Sequence, residues 1–400
     1  MSEYPLEPLG NICEINPDTL TEASDPTRRY RYIDLSSIKE QKTDLRITPL
    51  PFAVLPSRAR RRVAFNDVLL GTVRPNLKNF AIIESEDNDL LCSTGFAVLR
   101  SKKNISDPRF IFHVINSEIA TRQLNALVTG SNYPAVNVTQ VADLLIPIPP
   151  LPEQKKIAEI LSGIDSTMGN LKSYLAKQEI LKKSVVSKLI FNKDNDCRRI
   201  GETDRNYCLA DVSTRITDGT HQAVKTSKNG TIPFLYISCI KDGIIDWSKS
   251  AFISAEQYAI ATQGRQPSSG DILYTVVGSY GNAVMVSTSK QFCFQRHIAL
   301  IQLDQKQVEP KFIEIALCSE EVKKSVDKVV AGNAQPTLTL GELRKLQIPL
   351  PSLNMQRRIC QIISPLELKI SALEKKIEAM KSLKTAMSAD LLSGRKRVSI

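Results

Sequence analysis

The chain has 400 residues, 42% of them apolar and 24% charged, a composition typical of a folded globular protein with about two to four domains. Lysine and arginine outnumber aspartate and glutamate by 53 to 42, and the resulting formal charge of +11 favours an acidic partner, foremost a nucleic acid. The N-terminus lacks a secretory signal pattern, and no apolar run reaches about 18 residues. We therefore expect a cytoplasmic protein without a membrane span.

Patterns for metal and cofactor binding are absent from the sequence. The eight cysteines form no CxxC pair and the three histidines lack zinc-ligand spacing, so reduced structural thiols are predicted. There is no phosphate-binding GxxxxGK[ST], no strand-anchored GxGxxG and no DPPY-like tetrapeptide of the kind that amino-methyltransferases use. We therefore expect a chain that holds no metal or cofactor and is not an enzyme by itself.

The first globule is predicted to be a mixed α/β domain. Short β-type runs are broken by Pro, Gly and Asn, and one helix follows at 107–127. Asp107 is the predicted N-cap of this helix, and Pro108 takes its first position. The second globule repeats this order, and its corresponding helix begins at Glu309–Pro310.

A long helical stretch occurs twice in the chain. Residues 153–191 recur at 355–393, which is 202 positions later without a gap, and the same offset places Gln154 on Gln356. The predicted domains are a first globule at 1–150, a central helix at 151–195, a second globule at 196–350 and a C-terminal helix at 351–400. Residues 192–207 are polar and charged, as in a surface linker.

Both copies of the long stretch carry apolar residues at alternating four- and three-residue spacing, the pattern of a coiled-coil seam. The predicted seam residues are Ile157, Leu161, Ile164, Met168, Leu171, Leu175, Ile359, Ile363, Leu366, Ile370, Leu373, Ile377 and Met380. A lone helix would leave this stripe in water, so we predict that the two copies pair with each other. Pro365 lies early in the second copy, where it should kink or delay the helix.

Both orientations of the pair are sterically possible. We favour the antiparallel one, because a repeated globule-helix unit then closes on itself with pseudo-twofold symmetry. The alternative to a coiled-coil pair is that the two long helices are ordinary core helices of one large domain.

The two globules share strand and helix segments but differ in their loops, which favours two equal scaffolds that bind different things. Arginine or lysine to guanine, asparagine or glutamine to adenine, and cations to phosphate are the contacts that proteins use on duplex DNA. In the first globule the candidate DNA-binding residues are Arg58, Arg60, Arg61, Arg62, Arg74, Asn76, Lys78, Asn132, Tyr133 and Asn137. In the second they are Arg215, Thr220, His221, Tyr280, Asn282, Arg296 and His297.

Two other functions remain open from the residues alone. Glu321 and Lys323 have the ExK spacing of some nucleases, although such triplets arise by chance on charged helices. The paired helices could also belong to an adaptor whose globules bind proteins and not DNA. His113 lies among apolar residues of a predicted helix, and we assign it no function.

Several segments resemble the DNA-specificity subunit of type I restriction-modification systems, and the resemblance covers essentially the whole chain. They are the helix start PIPPLPEQKKIAEIL and, in the second globule, DGTH, IPFLYIS, GDILYTVVGSYG and QRHIALI. The second helix start departs from the pattern, since Asn354–Met355 replace Pro152–Glu153. The first globule has no counterpart of DGTH.

The resemblance implies a non-catalytic scaffold with two target recognition domains, each of which reads one half of a split duplex DNA site. The paired helices would set the gap between the halves. Two DNA methyltransferase subunits would dock on the chain and two restriction-translocase subunits would complete the complex. S-adenosylmethionine, ATP and Mg²⁺ would then bind only to those partners.

Overall fold

The computed structural model describes residues 3–128, 134–191, 206–227, 229–241, 243–331 and 336–399. The chain forms two compact units, the first from 1–172 together with 375–400, and the second from 173–374. Each unit combines a mixed α/β globule with segments of two long helices. Two tandem α/β globules with two long helices confirm the predicted fold class. Within the described ranges, no helix is both long and apolar enough to cross a bilayer.

The globule of the first unit contains two four-stranded sheets. Its strands are β1 (Leu6–Pro8), β2 (Cys13–Ile15), β3 (Arg29–Ile33), β4 (Ile38–Lys39), β5 (Lys42–Thr43), β6 (Leu50–Pro51), β7 (Ala59–Arg62), β8 (Val68–Gly71), β9 (Phe80–Ile82), β10 (Leu90–Ser93), β11 (Phe96–Ser101) and β12 (Leu145–Pro147). One sheet has the order β2-β11-β8-β9 and the other β6-β3-β10-β7, in which β3 and β10 run parallel. Two-stranded pairs are β1 with β12 and β4 with β5.

Helices cover one face of the first of these sheets. They are α1 (Leu9–Ile12), α2 (Pro108–Asn116), α3 (Glu118–Val128), α4 (Val138–Ala142) and α5 (Leu151–Val186). Because alternate strand residues point to opposite faces, Val68 and Leu70 pack on the helical side. Leu69, between them, packs with Ile33 and Cys92 of the other sheet. The globule therefore has three layers, with the sheet β2-β11-β8-β9 in the middle.

The second unit repeats this arrangement. Its elements are β13 (Asn206–Cys208), β14 (Ser213–Asp218), β15 (Ile232–Leu235), β16 (Ile240–Lys241), β17 (Ile244–Ile245), β18 (Ala251–Ile253), α6 (Ala255–Thr262), β19 (Ile272–Thr275), β20 (Ala283–Met285), β21 (Cys293–Phe294), β22 (Ile298–Leu303), α7 (Pro310–Leu317), α8 (Glu320–Val330), α9 (Leu340–Arg344), β23 (Gln347–Pro349) and α10 (Leu353–Ser393). The middle sheet is β14-β22-β19-β20, and the outer sheet is β18-β15-β21 with β15 and β21 parallel. Two-stranded pairs are β13 with β23 and β16 with β17.

The predicted helix at 107–127 is in fact two helices. The N-cap is as predicted, since the Asp107 carboxylate accepts a hydrogen bond from the backbone N–H of Phe110 at 2.9 Å. The prediction missed Ser117, whose hydroxyl donates to a backbone carbonyl of α2 and accepts from the second residue of α3, so one helix ends and another begins. Ser319 caps α8 at the equivalent position.

A buried glutamine anchors the start of each long helix. Gln154 is fully buried, and its Oε1 accepts the backbone N–H of Asp107 at 2.9 Å. Gln356, 202 positions later, is also fully buried and accepts the N–H of Glu309 at 2.8 Å. The repeat is therefore preserved down to single side-chain contacts.

The two long helices run antiparallel in each unit. In the first unit, Asp165 of α5 pairs with Lys384 of α10 at 2.6 Å, and Leu161 shares a core cluster with Leu391. In the second unit, Lys182 pairs with Glu367 at 2.8 Å. There, Val186, farther along α5, shares a core cluster with Ile363, earlier on α10. In both units a later residue of α5 therefore meets an earlier residue of α10, as the favoured orientation requires.

The predicted seam residues occupy sheltered positions on α5 and α10. Ile157, Leu161, Ile359, Ile363 and Ile377 are buried, and the other predicted seam residues are half-buried. Helix α10 is continuous past Pro365, so the proline does not delay its start. Most of the predicted linker, at 192–205, lies outside the described residues.

Candidate nucleic-acid interface

In the second unit, the DGTH segment at 218–221 packs directly against the end of β21. Thr220 forms a parallel bridge with Gln295, and its backbone N–H donates to the carbonyl of Phe294 at 3.1 Å. Gly219 permits this approach, because a Cβ at that position would overlap the Phe294 carbonyl. Two sequence motifs that are more than 70 residues apart are thereby joined into one surface.

Three predicted DNA-binding side chains lie together on this surface. His221 is exposed, and its Nε2 lies 2.6 Å from Oδ2 of Asp218. Arg296 is exposed and His297 is half-buried, and with His221 and Asp218 they line an open cavity of about 350 Å³. Guanidinium and imidazole N–H groups at such a rim can donate to guanine edges or to phosphate oxygens.

Other candidates in the second unit make contacts within the protein. Thr220 is only 5% exposed, which leaves little of its side chain available to DNA. Arg215 and Asn282 each donate to a backbone carbonyl, at 2.7 Å and 3.0 Å. The Tyr280 hydroxyl donates to Asp327 at 2.8 Å, and this hydrogen bond raises the pKa of Tyr280. These three side chains brace their loops, whatever else they contact.

In the first unit, the arginine run lies on a strand and not in a loop. Strand β7 pairs antiparallel with β10 at the edge of the outer sheet. Strand alternation sends Arg60 and Arg62 to one face and Arg61 to the other. Arg62 pairs with Asp18 at 3.2 Å, whereas Arg58 is exposed. The four arginines therefore have four different environments.

Arg61 is the least accessible of this run to a ligand. Burial lowers the pKa of its guanidinium, and Nη1 is buried without a hydrogen-bond partner in the described part of the chain. Its strand position pairs with Cys92 of β10, on the core side of the sheet. Its position on the inner face argues against a direct DNA contact.

Three of the remaining candidates of the first unit, Arg74, Asn76 and Lys78, lie in the connection between β8 and β9. Arg74 and Asn76 are exposed, and Arg74 lines an open cavity of about 540 Å³. Lys78 donates to the carbonyl of Asn116 at 3.3 Å. Asn137 caps α4, since its Oδ1 accepts the N–H of the third helical residue at 2.8 Å. Asn132 and Tyr133 lie outside the described residues.

The two candidate surfaces occupy equivalent sheet edges. Ser93 of β10 pairs with Ala59 of β7, and Gln295, 202 positions after Ser93, pairs with Thr220. In the first unit, β7 thus lies where the DGTH segment lies in the second. The residue equivalent to His221 by the same offset is Thr19, which bridges Arg61 across the outer edge of β7. This replacement explains why the sequence shows no DGTH counterpart in the first globule.

One cationic residue on the outer sheet of the first unit was not among the predicted DNA-binding residues. Arg28 is exposed, and its guanidinium lies 5.3 Å from the centre of the Tyr30 ring. The signal was present, since basic and aromatic residues interleave in RRYRY, a composition found on nucleic-acid-binding surfaces.

The nuclease candidates do not line the cavity beside the DGTH segment. Glu321 and Lys323 are on α8, where Lys323 is exposed and Glu321 half-buried. His113 is buried on α2, and its Nε2 hydrogen-bonds Ser162 of α5 at 2.9 Å, in agreement with a structural role.

Comparison with known proteins identifies the family. The model for the type I restriction modification DNA specificity domain matches residues 64–180 and 203–381. The type I restriction enzyme MjaVIII specificity subunit of Methanocaldococcus jannaschii is 24% identical over 321 residues, covering 77% of this chain and 75% of that protein. The putative MjaX specificity subunit of the same organism is 23% identical over 419 residues, covering 99% and 94%.

A solved structure shows the same fold. A chain from a study of complex assembly and conformational transition of the type I R-M system superposes with a TM-score of 0.59 at 23% identity, over 97% of each chain. Since the family model matches well over half of its residues, the chain belongs to the type I restriction modification DNA specificity domain family.

Proposed function

We propose that this chain is the specificity subunit of a type I restriction-modification complex, in which the globules at 1–150 and 196–350 each read one half of a bipartite duplex DNA target. The observation that carries the proposal is the contrast within the repeat. The two globules share a scaffold down to the buried contacts of Gln154 and Gln356, yet they present different side chains at equivalent sheet edges.

The surface of the second globule has the chemistry for reading bases. Arg296 offers the planar donors that suit guanine, and Asp218 can accept from the amino group of cytosine or hold His221 as a donor. In the first globule, Arg74 at the rim of its cavity takes the corresponding part. The cationic groups around these positions would fix the register on the phosphate backbone.

The long helices would set the gap between the two half-sites and dock the partner subunits. Exposed apolar side chains on both helices are available to such a partner, with Ile180 at 67% and Leu368 at 72% exposure. We propose that two methyltransferase subunits cover such positions, and that restriction-translocase subunits join the complex. S-adenosylmethionine, ATP and Mg²⁺ would bind those subunits, while this chain supplies recognition and no catalytic step.

The proposal is tested by single-molecule methylation sequencing of DNA from cells that express this chain with its neighbouring methyltransferase. We expect one split motif with modified adenines in both halves. A chain that serves as an adaptor without DNA recognition would give no motif despite verified expression and complex formation, and that result would refute the proposal.

The gap-setting role has its own test. Insertion of about four residues into α5, which adds roughly one helical turn, should change the permitted spacing between the half-sites and leave the bases unchanged. An unchanged spacing in a folded, active complex would show that the helices do not set the gap.

A further inference from the structure

Two adjoining aromatic rings, each with an arginine over it, lie on the outer sheet of the first unit. We call Arg28, Tyr30, Phe52 and Arg60 the stacked cluster. The guanidinium of Arg28 lies 5.3 Å from the centre of the Tyr30 ring, and that of Arg60 lies 5.0 Å from the centre of the Phe52 ring. The two rings meet edge to face at 6.2 Å between centres. Both are buried, at 3% and 7% exposure, so the arginines lie over a rigid base.

The backbone holds the stacked cluster in place. The N–H of Phe52 donates to the carbonyl of Arg28 at 2.9 Å, next to the antiparallel pairing of β3 with β6. Arg60 lies on β7 of the same four-stranded sheet, and its contact with Phe52, which packs with Tyr30 and Leu91, places it on the face of that cluster. The two guanidinium groups are therefore carried on sheet strands or next to them, and not on separate mobile loops.

Unlike other arginines of the unit, the arginines of the stacked cluster form no ion pair among the described residues. The acidic group that interacts with Arg28 is Asp25, whose pKa is lowered mainly by hydrogen bonds from Thr27 and to a smaller extent by the charge of Arg28. Arg31 pairs with Asp87 and Arg100 pairs with Asp67, both at 2.7 Å. Among the described residues, no carboxylate lies within ion-pair distance of Arg28, Arg60 or the exposed Arg58. Their N–H groups are not used by internal ion pairs and can receive an external anion.

The stacking favours phosphate over base edges as that anion. A guanidinium held over a ring by a cation–π contact still has N–H donors to offer, and it loses little side-chain entropy when an anion binds. It is also tied to the protein surface and does not extend into a groove. Base readout requires a side chain that reaches the groove, whereas backbone phosphates lie at the surface of the duplex.

We infer that Arg28 and Arg60 form a phosphate-binding patch, through which the first recognition domain grips the DNA backbone independently of sequence. The inference rests on the proposed function and adds two roles to it. Arg28 becomes a DNA-contacting residue, and Arg60 contacts the backbone rather than a base.

The test is the salt dependence of DNA binding by the full chain in complex with its methyltransferase partner. Fluorescence anisotropy would be measured with two labelled duplexes. One carries the motif identified by methylation sequencing, and the other is a scrambled duplex of the same composition. For the variant with both Arg28→Gln and Arg60→Gln, we expect the slope of log K against log salt to become less negative by about 1.8, or about 0.9 for each lost contact. Affinity should fall by the same factor, roughly 3- to 10-fold per contact, for both duplexes.

Two controls separate charge from folding. Arg46→Gln removes the same charge from an exposed arginine of the same unit that pairs with Asp44, and it should leave the slope unchanged. Arg60→Lys keeps the charge and should keep the slope of the wild type. An unchanged slope in the double variant, a loss confined to the motif duplex, or a lost slope in Arg60→Lys at normal thermal stability would each overturn the inference.

The same assay separates the two proposals. If the wild-type complex does not discriminate between the two duplexes, the recognition function itself fails. If it discriminates while the double variant keeps the wild-type slope, only the phosphate patch fails.

Discussion

The two units share the same buried contacts between sheets and helices, and they differ at one edge of the outer sheet. Gln154 and Gln356 hold the same backbone positions, and the pair of Asp165 with Lys384 recurs as Glu367 with Lys182, with each partner displaced by 202 positions. At the outer sheet, however, β7 takes the place that the DGTH segment has in the second unit. The shared contacts show what the fold requires, and the divergent edge shows where function can vary.

The largest effect should come from closing the space that the DGTH segment needs. Gly219→Ala places a Cβ on the carbonyl of Phe294, and neither backbone can yield without breaking the Thr220–Gln295 bridge. We expect a loss of roughly 3 kcal/mol in the stability of the second unit. Methylation sequencing should show weakened discrimination in one half-site and an intact other half.

Gly341→Ala is the matched control for this change. Gly341 lies in α9, where a Cβ added to it would meet the Thr339 hydroxyl at an ordinary contact distance of 3.8 Å, so the helix should tolerate or favour alanine. Equal losses in the two variants would mean that the close approach at Gly219 is not the cause.

The next largest effect should come from the start of α5. Glu153 is 1% exposed and accepts two hydrogen bonds from Arg397 at 2.6 Å and one from the Tyr4 hydroxyl at 2.7 Å. The equivalent residue of the second unit is Met355, which packs on that unit's apolar core. Glu153→Met should therefore cost about 2 kcal/mol, since it removes the carboxylate that accepts all three of these hydrogen bonds. Thermal unfolding would measure it.

The hydrogen bonds between Glu153 and Arg397 also predict that the stability of the chain depends on pH. The hydrogen bonds from Arg397 lower the pKa of Glu153 in the folded chain. The stability that ionised Glu153 contributes is therefore present at neutral pH. It is lost as the pH falls below the ordinary glutamate pKa of about 4.3 toward the lower pKa of Glu153 in the folded chain. If the wild type and Glu153→Met lose stability in parallel over this acid range, the hydrogen bonds of Glu153 do not contribute to the pH dependence of stability.

A third difference between the units is the buried His113, whose equivalent is Ile315. Burial lowers the pKa of His113 to about 3, helped by the positive charges of Lys384 and Arg109. Between pH 6.5 and about 3, the unfolded chain binds a proton that the folded chain does not, so stability falls as pH falls, by up to about 1.4 kcal/mol per pH unit.

His113→Ile should remove this slope and make the first unit resemble the second. Unfolding of the two proteins at pH 7 and pH 5 would be compared. The difference in free energy between the pH values should be smaller in the variant, and an unchanged difference would refute the assignment to His113.

The smallest effect concerns the repeated ion pair. Glu367 forms ion pairs with both Lys182 and Lys311 at 2.8 Å, whereas among the described lysines Asp165 pairs with Lys384 alone. Glu367→Gln should therefore cost about 1–2 kcal/mol and Asp165→Asn about half of that, with some screening by solvent. Unfolding at low and high salt would show it, and the reverse order would contradict this interpretation.

Periodicity and repetition predicted the scaffold well because they report burial directly. The 202-residue offset and the seam spacing led to two α/β globules and an antiparallel helix pair, and the Asp107 cap followed from a local rule. The break at Ser117 was missed because apolar spacing continues across it, while its hydroxyl ends one helix and starts the next.

The candidate site was harder to predict because it depends on strand pairing between distant segments. Nothing local in SRARRR distinguishes Arg60, which lies over the Phe52 ring, from Arg61, whose Nη1 is buried, or Arg62, which pairs with Asp18. Those differences arise from the pairing of β7 with β10 and from contacts with residues more than 40 positions away for Arg62. Residue types could indicate a DNA-binding surface, but only the fold shows which of its arginines make internal contacts and which are available to a ligand.

The most direct test of the central claim is exchange of residues 203–350 for the corresponding globule of a relative with a different target, followed by methylation sequencing. If each globule reads its own half-site, one half of the motif should change to that of the relative and the other half should stay the same. Changes in both halves would show that the two globules do not read independently, and the account would be wrong.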